Sequence, residues 1–106
     1  MSATASSVSL APPVTVESPV RLRADDAAPF VAQAAARLPA GGRADLDLTP
    51  LVDFDSSALA ALLALFRDAS GRGVLLRCVN TPANLRKLAA LYGVDGFLPG
   101  VGIGRS

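Results

Sequence analysis

The stretch that decides the fold is "ADLDLTPLVDFDSSALAALLALFRDASGRGVLLRCVN", Ala44 to Asn80. Its first five residues alternate polar and apolar with the period of a strand, which puts Leu46 and Leu48 on one face. Thr49-Pro50 breaks that strand. Asp55 is a natural helix cap, and a helix from about Ser56 to Ala69 follows, with Leu59, Leu62, Leu63 and Phe66 at helical spacing as its core face. "SGRG" (Ser70 to Gly73) stops the helix. "VLLRCV" (Val74 to Val79) is a nearly continuous apolar run, as expected of a strand covered on both faces or central in a sheet. The Leu48-to-Val74 connection is long enough for a right-handed parallel crossover.

The same alternation extends outward. Val8 to Leu22 carries valines at 8, 14, 16 and 20, broken by Pro12, Pro13 and Pro19, and reads as one or two short strands. Asp25 and Asp26 precede "AAPFVAQAAARL" and are expected to cap a helix with Pro29 in its first turn and Phe30, Ala34 and Leu38 on its buried stripe. "PAGGR" (Pro39 to Arg43) turns the chain into the strand at Ala44. After Val79, Thr81 reads as an N-cap, Pro82 as the first helical residue and Gly93 as the left-handed stop, with Leu85, Leu88, Ala89 and Tyr92 as the stripe. The order is strand or strands, helix, strand, helix, strand, helix. The expectation is a single α/β domain, a small mixed β-sheet with helices packed against it. Residues 1–7 are expected to be a disordered N-terminus, 8–100 the domain and 101–106 a flexible tail.

Composition narrows the function. The 106 residues suffice for one core, and a net charge of +1 gives no field suited to nucleic acid or an acidic membrane. No stretch approaches the ~20 apolar residues of a bilayer span, and the N-terminus lacks a basic segment followed by an apolar block. A cytoplasmic protein without direct membrane insertion is the expectation. There is no histidine, so the commonest general base and metal ligand are missing. Lys87, the single lysine, lies far downstream of the serines that would need it. Asp53 and Asp55 form a pair, but they are expected to point to opposite sides, one solvated and one a cap. Cys78 in an apolar strand reads as a small buried hydrophobe rather than a nucleophile. No glycine cluster is followed by the Gly-Lys-Ser/Thr of a phosphate loop, and the carboxylates are too scattered for a metal. Neither enzyme activity nor a cofactor is expected.

Ser56 and Ser57 remain. In the first turn of a helix, backbone N–H groups lack intrahelical partners and the dipole is positive, so a phosphate there suits the helix. Beside Asp53 and Asp55, the same phosphate would add roughly two negative charges able to repel a partner. The plainer alternative is that serine is simply common at helix starts.

The strand ending Asp47-Leu48, then Asp55-Ser56-Ser57-Ala58-Leu59, then the Gly-bounded strand Gly73 to Val79 resemble the core of the STAS-domain family, which includes bacterial anti-sigma factor antagonists and sulphate-transporter tails. The resemblance spans roughly residues 44 to 99, and the family's usual glycine after the serines is replaced by Ala58. Leu88, Ala89, Leu91, Tyr92, Leu98 and Pro99 are similar to the C-terminal pattern of those STAS subunits that serve ABC complexes moving phospholipids between the two membranes of Gram-negative bacteria. The resemblance implies a protein partner, the ATPase of such a transporter, contacted through Asp55, Ser56, Ser57, Ala58 and Leu59, with Asp53 and Tyr92 as further contacts. The family's other branch implies an anti-sigma factor kinase that phosphorylates Ser56 or Ser57.

Overall fold

The computed structural model describes residues 13–101. The chain forms β1 (Val14–Glu17), β2 (Arg21–Leu22), α1 (Ala24–Ala36), β3 (Gly42–Asp47), β4 (Asp53–Phe54), α2 (Ser57–Gly71), β5 (Val74–Val79) and α3 (Ala83–Leu91), with a 3-10 turn at Asp95–Phe97. The alternation of strand and helix expected from the sequence is present, and the fold is α/β with helices packed on a small sheet. The part of the expected N-terminal strand region before residue 13, and the tail beyond 101, lie outside the described residues.

β3 is the middle strand of the order β1-β3-β5, and β2 pairs with β4 in a separate two-stranded unit. All three pairings are parallel, so the mixed character expected of the sheet has no counterpart among the described residues. Register places Val16, Leu46 and Cys78 in one row, and Ala44 beside Leu76 in the next. All five are buried, and with Leu48 and Val74 they form the inner face. α2 covers this face. Its fully or nearly fully buried residues are Ala58, Leu59, Ala61, Leu62, Leu65 and Ala69, while Leu63 and Phe66, expected on the core face with Leu59 and Leu62, are only partly buried. The alanines allow close approach, so the buried arc rotates toward them and away from Leu63. α1 lies against α2 and buries Phe30 and Ala34, and Leu38 just past its end is buried too, as the spacing predicts.

Four local expectations are corrected. β5 is not covered on both faces: it is an edge strand with burial alternating along it, and Leu75 is 72% exposed. The unbroken apolar run hid a period of two, with Leu75 and Arg77 turned to the open face, where Arg77 pairs with Asp45 at 3.5 Å. α1 starts before Asp25. Its first turn contains both aspartates, and Asp26 reaches back to accept the Arg23 N–H at 3.0 Å. Pro29 therefore sits beyond the first turn, and the carbonyl its missing N–H would serve belongs to exposed Asp25, where water can reach it. Thr81 does not cap α3. Pro82 occupies the cap position in extended conformation, and the Thr81 hydroxyl donates instead to the Gly100 carbonyl at 3.0 Å.

Gly93 ends α3 with φ +71, the left-handed conformation expected of it. The segment after it packs tightly. Leu98 and Val101 are fully buried, so Val101 belongs to the core rather than to the flexible tail expected from residue 101. The Cys78 N–H donates to the Pro99 carbonyl at 2.8 Å on the outer edge of β5. Gly100 passes so close that an added Cβ would lie 1.9 Å from the Cys78 carbonyl oxygen, at φ +91.

Candidate functional site

The site forms where the loop after β3 returns to start α2. At the end of β3, Asp47 accepts three hydrogen bonds: from the Thr49 N–H at 2.9 Å, the Thr49 hydroxyl at 2.6 Å and the Asn80 amide at 3.1 Å. The Thr49 hydroxyl, then its N–H, then Asn80 hold the Asp47 carboxyl below its usual range, since each favours the charged form. This knot turns the chain out of β3. β4 then lays Asp53 beside Arg21 and Phe54 beside Leu22. The Val52 and Asp53 N–H groups both donate to the Val20 carbonyl, at 2.9 and 3.0 Å.

Asp55 caps α2 as expected. Its carboxylate accepts the Ser57 N–H at 2.8 Å and its carbonyl accepts the Ala58 N–H at 3.0 Å. Ser56 already has helical backbone angles and is exposed, while Ser57 is half-buried. Ala58 and Leu59 are 0% and 3% exposed. They were expected to touch a partner, but helix phase turns them into the core, so only Asp55, Ser56 and Ser57 of that motif reach the surface.

Asp53 and Asp55 do not diverge. Residues two apart in an extended segment share a side, and both carboxylates face Arg23. The Arg23 Nε lies 2.6 Å from Asp53 Oδ1 and its Nη1 3.7 Å from Asp55 Oδ2. The Asp53 hydrogen bond and charge raise the Arg23 guanidinium further above its already high value. Arg21 in turn pairs with Asp26 at 3.3 Å. Beside these charges stand two apolar side chains in the open, Val20 at 58% and Val52 at 73% exposure. Sequence reasoning missed Arg23, Val20 and Val52. The one usable signal was "RLR" in a strand-like segment, which puts Arg21 and Arg23 on one side but does not name their partners.

Tyr92 terminates α3, is 58% exposed and adjoins exposed Leu91, so it leaves the buried stripe, which Leu85 and Ala89 hold as expected. Cys78 is buried, and burial pushes its thiol up to about 12, which keeps it protonated at neutral pH. Among the described residues no group of three or more acidic, cysteine or histidine side chains is placed to hold a metal. No helix among them is long and apolar enough to cross a membrane.

The exposed chemistry at this end of the parallel α/β domain is a capped helix start, a small hydroxyl and a rim of paired arginine and aspartate side chains. A family model described as "Mlab, STAS domain" matches residues 14–100. The chain belongs to the STAS-domain family, whose members are in general non-enzymatic. No curated protein matches it.

Proposed function

We propose that this chain is a non-enzymatic, MlaB-like subunit that binds the ATPase of an ABC transporter and stabilises or regulates it, in a system that moves phospholipids to maintain outer-membrane lipid asymmetry. The observation that carries the reading is the match over residues 14–100 to a family described by that subunit. The exposed start of α2 supports it, because Ser56 offers a small hydroxyl that lets a partner approach the helix backbone closely. In this reading the protein works in the cytoplasm, peripheral to the inner membrane through the complex, and needs no cofactor.

The same exposed hydroxyl favours one other reading, an anti-sigma factor antagonist phosphorylated on Ser56 by a cognate kinase. Capture from native cytoplasm separates the two. Co-purification of an ATPase with Walker motifs, whose activity or stability rises on adding this chain, supports the transporter subunit. Recovery of a histidine-kinase-like ATPase that phosphorylates the chain overturns it. ATP turnover by the isolated, contaminant-free chain would refute both.

A further inference from the structure

Two segments distant in sequence, 20–23 and 52–55, lie edge to edge at the mouth of α2. The backbone ties between them are few. β2 and β4 have two residues each, far fewer than an isolated strand pair needs in water. The single Val20 carbonyl receives both the Val52 and the Asp53 N–H. Leu22 in the core and Phe54 packed against it hold the inner side of the pair, and the tie across its exposed side is the Arg23 side chain, which spans Asp53 and Asp55 with one guanidinium. A planar fork does this and a point-charge ammonium does not. Without it, two carboxylates on one side of an extended segment repel each other.

We propose that Arg23 is a positioning residue that latches segment 52–55 onto segment 20–23, so that Val20, Val52 and Ser56 form one preformed plate for the transporter ATPase. The partner in this statement rests on the function proposed above; the latch itself does not. Ordering the plate before contact removes part of the entropy loss that docking of a loose loop would carry. Arg23, Asp53 and Asp55 are all more than 40% exposed, and exposed pairs add little to global stability. The effect is therefore local order rather than melting temperature.

The test compares wild type, Arg23→Ala, Asp53→Arg and the charge-swapped double variant Arg23→Asp/Asp53→Arg. Amide hydrogen exchange at Val52 and Asp53 is read in the free chain, and affinity is read against the purified ATPase. The single variants should melt close to wild type, exchange at these two amides about two- to fivefold faster, and bind about three- to tenfold more weakly. The double variant should return both readouts to within about twofold of wild type. Unchanged exchange in the single variants overturns the latch. Weakened binding that the swap does not rescue assigns Arg23 to direct partner contact and also overturns it. If exchange responds and is rescued but wild type binds no such ATPase, the latch stands and the docking reading falls.

Discussion

Replacing Ser56 by glutamate tests the docking surface directly. Ser56 is exposed and sits in the first turn of α2, so the new carboxylate meets no core atoms in the free chain. An anion there gains about 0.3–1 kcal/mol from the helix dipole. Repulsion from Asp53 and Asp55 works against it, but both already face Arg23. The net change in stability should stay within about 1 kcal/mol, or less than ~8 °C in melting temperature for a domain of this size. In a complex that covers Ser56, the same carboxylate is buried without a partner, which costs several kcal/mol; at 1.4 kcal/mol per decade, affinity should fall about a hundredfold or more. Ser56→Ala loses one neutral hydrogen bond, about 0.5–1.5 kcal/mol, and should bind only about two- to tenfold more weakly. The assay is a binding titration of the ATPase with each variant, beside thermal melts of each free chain. Wild-type affinity in Ser56→Glu would show that the partner docks elsewhere. Unfolding of Ser56→Glu would show that the helix start is not open.

The core makes its own prediction: Leu62→Ala should cost about 2–5 kcal/mol and Leu62→Asp should abolish folding, whereas Leu63→Ala, only partly buried, should cost less than Leu62→Ala. Equal losses in a denaturant titration of the two alanine variants would refute the helix phase. Cys78 should resist thiol reagents in the native chain at pH 8 and react quickly once denatured, because burial shields its thiol and pushes it up to about 12; rapid native labelling would contradict its burial. The Asp47 carboxyl is depressed in the folded chain, so its contribution is complete above the ordinary aspartate value near 4 and is lost as pH falls through its lower folded value. Asp47→Asn should remove that part of the acid dependence, and superimposable acid melts for the two proteins would sink the assignment.

Much of this architecture is legible in local patterns. Asp55 announces its helix because capping is a contact between neighbours, and Phe30, Ala34 and Leu38 show their face through spacing alone. What escaped reading depends on residues far apart. Leu75 looks like core until the helices are seen to cover the other face of β5. Ala58 and Leu59 look like part of a binding motif until the packing of α2 fixes its phase. Arg23 carries no local sign of its role, since Asp53 and Asp55 lie some thirty residues away. Asp53 and Asp55 were misread as pointing to opposite sides, although strand periodicity places residues two apart on one side.

The parallel pairing has a consequence for how the chain can fold. Among the described residues no strand meets a neighbour through a hairpin: Val14 joins Ala44, Gly42 joins Val74 and Arg21 joins Asp53, each about thirty positions away. Every ladder must close a long loop before it gains a contact, so folding should be slow for a chain of this size. Among the described strands, β1 finds its partner only once β3 has left the ribosome, and β3 gains its second neighbour only with β5. Even then the core lacks Leu98 and Val101, and the Cys78 N–H lacks the Pro99 carbonyl. A nascent chain halted before these residues emerge would expose the edge of β5 and the apolar floor beneath it, a state suited to chaperone capture and prone to aggregation.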